Sequence, residues 1–219
     1  FLEDLIRTAS RPFKTKKIHI GMDEAWKLGL GNYLKLHGLT PLDEIMRIHL
    51  SKVMEIVRGL GLEPMMWSDM FFRLVGGRYY HNKPIPAEVR EKVPQEMQLV
   101  YWDYYNEKAE ILDGMMESHL AFDRTVWIAG GAWTWRGLQS DNKKSFRQTK
   151  AFVESARKYG VQNILMTMWG DNGGECSPYA LLPSLMYAAE CARGNFDLNQ
   201  AKAKFESLFG EKWDDFLLC

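Results

Sequence analysis

Five short apolar runs alternate with amphipathic helical patterns, and this alternation constrains the fold of the chain more than any other feature. The runs start at Lys17, Glu63, Gln98, Thr125 and Asn163, and turn residues bound each of them. Continuous apolar runs of this length predict strands that are buried on both faces. Strands that alternate with helices favour a parallel sheet with right-handed crossovers. The sequence therefore predicts an α/β fold.

The segments between these runs place apolar residues at helical spacing. In the clearest of them, Thr40 is predicted to be the N-cap, Pro41 the first helical residue and Asp43 the capping-box partner. Gly59 and Gly61 are predicted to end that helix. Further helices are predicted over residues 107–120, 144–159, 179–192 and 199–209.

The charge balance, the length of the apolar runs and the spacing of cysteines and histidines argue against several classes of partner and site. Lys+Arg and Asp+Glu number 28 each, so no net field attracts nucleic acid or an anionic membrane. No apolar run approaches the roughly 20 residues of a membrane span. The cysteines are odd in number and lack metal-type spacing, which favours free thiols and a cytoplasmic location; they are Cys176, Cys191 and Cys219. The histidines do not cluster on one element, so no metal site or other cofactor is expected; they are His19, His37, His49, His81 and His119.

Tryptophans and carboxylates follow the predicted strands, at the end where a barrel builds its active site. Aromatic rings stack on the apolar faces of sugar rings, and carboxylates accept hydrogen bonds from sugar hydroxyls. Core packing accounts for one or two such tryptophans but poorly for their recurrence after all five strands. The sequence therefore predicts a sugar site, and its candidate residues are Asp23, Glu24, Trp26, Trp67, Asp69, Trp102, Asp103, Tyr104, Tyr105, Trp133, Trp135, Arg136, Trp169, Asp171, Asn172 and Glu175.

The adjacent carboxylates Asp23 and Glu24 are the strongest candidates for catalysis. Such a pair is usually a solvated surface feature, but this one directly follows a buried strand. Two crowded carboxylates resist double ionisation, so one of them can hold a proton near neutral pH. Glycosidic cleavage needs a general acid of this kind.

The string HIGMDEAWKLGLG, residues 19–31, resembles the signature of glycoside hydrolase family 20, the β-N-acetylhexosaminidases. The segments MMWSDMF, LVYWDYY and WGDNGGE also fall at positions of that family on later strands. The resemblance implies a (β/α)8 TIM barrel in which the predicted strand that starts at Lys17 is the fourth strand. Residues 1–219 would then form a partial catalytic barrel with strands 4–8, and a helical extension would start at about residue 197. The first three strands, with an arginine that holds the sugar hydroxyls, would lie outside this sequence.

The resemblance also implies a mechanism and a substrate. The family removes terminal non-reducing β-linked GlcNAc or GalNAc with retention, and the substrate's own acetamido group is the nucleophile, unlike in most glycosidases. Glu24 matches the general acid/base. Asp23 matches the residue that orients the 2-acetamido arm and stabilises the oxazolinium ion. The implied partner is thus the terminal N-acetylhexosamine of a glycan.

The resemblance assigns the sugar contacts to aromatic residues and one acid. Trp67, Trp102 and Trp169 match the walls and floor of the subsite, and Asp171 matches a carboxylate that bonds sugar hydroxyls. Relatives place a tyrosine near the end of the seventh strand, where this chain has Trp133, Thr134 and Trp135. Tyr104 or Tyr105 could therefore hold the acetamido oxygen, and Trp133 joins the substrate contacts. Asp69 and Arg136 either support the site or form ion pairs elsewhere.

Two other functions are compatible with the same residues. A different retaining glycosidase would use Glu24 as the acid and Asp171 or Glu175 as the nucleophile. A non-catalytic carbohydrate-binding protein would keep the tryptophans without turnover. A sugar-phosphate barrel is disfavoured because no glycine-rich phosphate loop precedes a helix.

Overall fold

The computed structural model describes residues 1–80 and 84–218, in which parallel strands alternate with helices. The strands are β1 (Lys17–His19), β2 (Glu63–Trp67), β3 (Gln98–Trp102), β4 (Val126–Gly131) and β5 (Asn163–Thr167). The helices are α1 (Leu2–Ser10), α2 (Asn32–His37), α3 (Leu42–Gly59), α4 (Asp69–Gly76), α5 (Ala87–Arg90), α6 (Ala109–Leu120), α7 (Asn142–Lys158), α8 (Leu182–Ala192), α9 (Leu198–Phe209) and α10 (Trp213–Phe216). A 3-10 turn over Pro178–Leu181 precedes α8.

All five predicted strands are present, and the prediction of a parallel α/β fold is confirmed. The strands follow one another in the sheet in chain order. β1 pairs with β2, with Ile18 opposite Pro64, and β2 pairs with β3. β4 pairs with β5, with Ala129 opposite Leu165. The central strand β3 is buried at every position, as its continuous apolar run requires.

The chain folds as two compact units. Unit 1 comprises residues 1–101 and 118–126, and unit 2 comprises residues 102–117 and the chain from Trp127 onward. The single partial barrel expected over residues 1–219 stays a prediction. Among the described residues, no helix is both long and apolar enough to cross a bilayer.

One hydrophobic cluster of unit 1 lies between α1, α3 and β1. Val53 and Val57 of α3 are buried against Ile6 of α1, and Ile18 and Ile20 pack on the same cluster. Val53 and Val57 are four residues apart, so they lie on one face of the helix. This packing fixes the end of β1, where the candidate carboxylates follow.

The core of unit 2 joins α7, α8 and the carboxyl-terminal helices. Phe146 of α7 stacks on Trp213 of α10, with ring centroids 5.3 Å apart, and meets Tyr187 of α8 edge-on. Asn142 Nδ2 donates to the carbonyl of Ala180 at 2.8 Å. These contacts fix the amino-terminal end of α7.

The predicted start of α3 is wrong by one residue. Pro41 has φ −56° and ψ 135°, so its backbone is extended and the helix begins at Leu42. Thr40 Oγ1 donates to the carbonyl of Gly38 at 3.5 Å, and the Pro41 cap position has no side-chain hydrogen bond. The predicted capping box of Thr40 and Asp43 therefore does not form. Pro41 itself takes the extended N-cap position, so Leu42 becomes the first helical residue.

Four other helix starts differ from their predictions, and one of them is α9, which begins at Leu198 rather than 199. α7 begins at Asn142 rather than 144, because Asp141 Oδ1 accepts a hydrogen bond from the Lys144 backbone N–H at 2.9 Å. α6 begins at Ala109 rather than 107, and the helix predicted from 179 is a 3-10 turn followed by α8. Cys176 and Cys191 are buried thiols, whereas Cys219 lies outside the described residues.

Candidate active site

Asp23 and Glu24 lie in a strained turn directly after β1. The strand ladder runs on to Gly21, whose carbonyl accepts the backbone N–H of Trp67 at 3.1 Å. Met22 and Glu24, on either side of Asp23, have φ of 77° and 46°. Left-handed backbone is sterically costly for residues other than glycine. The surrounding structure must therefore hold this turn in place.

Two residues of α4 hold the turn. The backbone N–H of Glu24 donates to Asp69 Oδ2 at 3.2 Å, and Arg73 Nε donates to the same oxygen at 3.0 Å. Arg73 Nη2 also lies 3.5 Å from Glu24 Oε1. Asp69 is fully buried, so its charge needs the guanidinium that Arg73 supplies. The sequence left the role of Asp69 open, and the structure places it in an ion pair that anchors the turn.

Arg73 also joins the turn to an aromatic side chain. Its guanidinium carbon lies 4.1 Å from the ring centroid of Trp26, within range of a cation–π interaction. Trp26 is 66% exposed, and Asp23 and Glu24 are exposed as well. The carboxylates of Asp23 and Glu24 are thus accessible to a substrate, whereas the backbone of Glu24 is held by its hydrogen bond to the buried Asp69.

His19 and Trp67 form an uncharged wall in the same unit. Their ring centroids are 4.4 Å apart, and the His19 Nδ1 accepts the backbone N–H of Gly21 at 3.1 Å. Burial lowers the pKa of His19 to about 4, so the ring is neutral at pH 7 and carries its proton on Nε2. This role of His19 was not predictable from the sequence, because a single histidine in a strand carries no signal of its own.

A cavity of about 440 Å³ lies beside Trp26 and Arg73. Apolar side chains of α3 and α4, among them Met46, Leu50 and Phe71, form much of its lining. Neither Asp23 nor Glu24 lines it. We therefore do not assign this cavity to the sugar site.

Unit 2 brings four of the predicted substrate-binding residues into one aromatic cluster. Trp102 stacks on Tyr104 with centroids 5.3 Å apart, and Tyr104 meets Trp135 edge-on at the same distance. Trp133 stacks on Trp135 at 4.4 Å, and Tyr105 meets Trp133 edge-on at 5.4 Å. These separations lie within the range of favourable aromatic pairs.

The members of this cluster differ in their access to solvent. Trp102, Tyr104 and Trp133 are buried, and Trp133 Nε1 donates to the Tyr104 carbonyl at 3.1 Å. Tyr105 is 42% exposed, against 6% for Tyr104. Of the two tyrosines that the sequence left open, Tyr105 is therefore the more accessible to a ligand.

Trp169 and Asp171 lie in the loop that follows β5. Trp169 is 38% exposed, and its carbonyl accepts the hydroxyl of Thr134 at 2.7 Å. Asp171 and Glu175 are exposed. The carboxylate expected to bond sugar hydroxyls and the alternative nucleophiles are thus all accessible.

Within residues 1–80 and 84–218, no three His, Cys, Asp or Glu side chains are grouped so that they could hold a metal ion. His81 lies outside these residues. No protein-family model matches the chain, and no curated protein matches it. The function must therefore be argued from the residues and their geometry.

Proposed function

We propose that the five strands are part of a (β/α)8 barrel and that the protein is an exo-β-N-acetylhexosaminidase of glycoside hydrolase family 20. The observation that carries the proposal is the turn at Asp23 and Glu24. Its backbone is left-handed on both sides of Asp23, and a buried carboxylate binds the Glu24 N–H. Strained backbone that the surrounding structure enforces is concentrated at functional sites. The resemblance of residues 19–31 to the family signature supports the same assignment.

The two carboxylates have different roles in the proposed reaction. Glu24 protonates the glycosidic oxygen while the acetamido oxygen of the substrate attacks the anomeric carbon and the bond to the leaving group breaks. Asp23 accepts the acetamido N–H and stabilises the positive charge of the oxazolinium ion. Glu24 then takes a proton from water, which attacks the anomeric carbon and regenerates the acetamide with net retention.

Arg73 positions Glu24 without neutralising it completely. The guanidinium lies 3.5 Å from the Glu24 carboxylate but donates to the buried Asp69 at 3.0 Å. Asp69 offsets much of the positive charge, so Glu24 can gain and lose a proton during the cycle.

The proposed sugar contacts rest on the family resemblance and, for one tyrosine, on exposure. The resemblance assigns Trp67 and Trp169 to the faces of the terminal sugar and Asp171 to its hydroxyls. Tyr105 is assigned to the acetamido oxygen because its ring is accessible. The buried rings of Tyr104 and Trp133 pack against Tyr105.

An inhibition assay tests the mechanism. The complete barrel, residues 1–219 together with the three strands proposed to lie outside them, is incubated with 4-nitrophenyl β-GlcNAc and β-GalNAc, with and without a thiazoline that mimics the oxazoline. We expect hydrolysis that the thiazoline inhibits competitively, and no hydrolysis of a glycoside without the 2-acetamido group.

Two results would contradict this mechanism. Covalent trapping by a 2-fluoro sugar, located on Asp171 or Glu175 by peptide mass spectrometry, would show a protein nucleophile. Saturable binding of GlcNAc with no turnover of either substrate would show a carbohydrate-binding protein without catalysis.

A further inference from the structure

A pocket of about 220 Å³ in unit 2 has a lining that is both aromatic and cationic. It lies between the loop after β3, the loop after β4 and the first turn of α7. Its lining residues are Tyr105, Trp133, Arg136, Gln139, Asp141 and Lys144.

Two cations are held over the aromatic wall of this pocket. Lys144 Nζ lies 4.8 Å from the ring centroid of Trp133, and the Arg136 guanidinium carbon lies 5.4 Å from the same centroid. Arg136 also lies 5.8 Å from the ring of Tyr105. In the described part of the chain, neither cation lies within 4.0 Å of a carboxylate oxygen.

The single acid of the lining does not neutralise the pocket. Asp141 Oδ1 accepts the backbone N–H of Lys144 at 2.9 Å and thereby caps α7. Arg136 and Lys144 leave an excess of one positive charge in the lining. Nearby Arg147 is paired with Glu107 at 3.0 Å, so that carboxylate is already engaged.

We propose that this pocket binds the anionic substituent of a sugar, a sulfate ester or a uronic acid carboxylate. The fork of donors on Arg136 suits the paired oxygens of either group, and the ammonium of Lys144 adds a second charge-assisted hydrogen bond. The exposed ring of Tyr105 provides a stacking surface for the sugar that carries the anion. The identification of the ligand as a glycan rests on the proposed function, whereas the preference for an anion rests on the pocket alone.

Calorimetry with three sugars tests the preference. The probes are N-acetylglucosamine, its 6-sulfate and glucuronic acid, at low ionic strength. We expect at least one anionic sugar to bind about tenfold or more tightly than the neutral one, the scale of a single hydrogen bond to a charged group. The sulfate and the carboxylate probes identify which anion the pocket prefers. The preference should weaken as NaCl screens the charges.

A double variant and a matched control locate the effect. Arg136→Gln with Lys144→Gln should remove the anion preference and leave the affinity for N-acetylglucosamine unchanged. Lys143→Gln removes an exposed charge from the same turn of α7 but does not line the pocket, and it should keep the preference. Circular dichroism and urea unfolding verify that each variant is folded.

The outcomes separate this inference from the proposed function. Equal affinity for charged and neutral sugars, no binding of any probe, or a preference that survives in the double variant would overturn the anion pocket. A lost preference together with intact hydrolysis of 4-nitrophenyl β-GlcNAc in the double variant supports both proposals. An anion preference in a protein that hydrolyses neither aryl substrate supports the pocket and refutes the hexosaminidase.

Discussion

The backbone N–H of Glu24 donates to Oδ2 of Asp69, a residue 45 positions further along the chain, at 3.2 Å. The same oxygen accepts the guanidinium of Arg73 at 3.0 Å. One buried carboxylate oxygen therefore fixes both the backbone of the candidate acid and the cation beside its side chain.

Replacing this carboxylate should destabilise unit 1. In Asp69→Asn, the guanidinium of Arg73 loses the negative charge that compensates it in a mostly buried position. Breaking a buried pair costs about 3–5 kcal/mol, and partial exposure of Arg73 reduces this to about 2–4 kcal/mol. Urea unfolding measures the loss. Asp43→Asn is the control, because the pair of Asp43 with Lys92 is exposed at 3.6 Å and should contribute less than about 1 kcal/mol.

The two carboxylates should differ in their dependence on the leaving group. Glu24→Gln removes the general acid, so turnover of alkyl glycosides should fall by about 10²–10⁴-fold while activated aryl glycosides are spared more. Asp23→Asn should impair both classes, because formation of the oxazolinium ion itself suffers. Steady-state kinetics on the two substrate classes check this. Glu55→Gln, on the exposed side of α3, should change neither. Equal and mild losses from both site variants would contradict the assigned roles.

His19 should make stability depend on pH between about 4 and 6.5. Burial lowers its pKa from 6.5 to about 4, so the unfolded chain binds more protons in this window than the folded one. The free energy of unfolding should therefore fall as pH drops from 6.5 to 4, by about 3 kcal/mol from this group. Urea unfolding at pH 7 and pH 4.5 compares the protein with His19→Asn, which retains an acceptor for the Gly21 N–H. The variant should lack the part of this pH dependence that His19 contributes, and it should keep the part that comes from carboxylates such as Glu96 and Glu190, whose pKa values are lowered in the folded protein.

Gly131 should tolerate no side chain. A Cβ at this position would lie 2.6 Å from the ring of Trp135 and 2.8 Å from that of Tyr104. Gly131→Ala should displace this cluster and cost about 1–3 kcal/mol, with a changed near-ultraviolet circular dichroism spectrum. Gly59→Ala is the control, since nothing lies within 4 Å of its Cβ, and at the last residue of α3 it should change the free energy of unfolding by less than about 1 kcal/mol. An unchanged spectrum and stability in Gly131→Ala would show that the cluster is loosely packed.

The sequence predicted the positions of the strands well because each is a continuous apolar run. The predicted burial on both faces holds for β3, but it is wrong for β1 and β5, in which no residue is buried. It predicted helix starts less well. Pro41 was expected inside α3, but its extended backbone lies just before the helix. Local patterns do not specify which of several adjacent residues becomes extended, so the boundary shifted.

The candidate site was predictable only in its residue types. The pair Asp23 and Glu24 stood out from the sequence, and so did the aromatic residues. The left-handed φ of Met22 and Glu24 did not, since neither is a glycine. The contact of Glu24 with Asp69 joins residues far apart in the chain, and no spacing rule encodes such a contact.

Asp69 and Arg73 are one helical turn apart on α4. This spacing places both side chains against the turn after β1. Insertion or deletion of one residue between them would rotate one side chain by about 100° around the helix axis. Both contacts to Glu24 could not then be kept together. By contrast, no residue of α2, from Asn32 to His37, is buried. A change in the length of α2 should therefore cost little stability. Among homologues of this protein, the segment between Asp69 and Arg73 should therefore keep a constant length, whereas the length of α2 should vary.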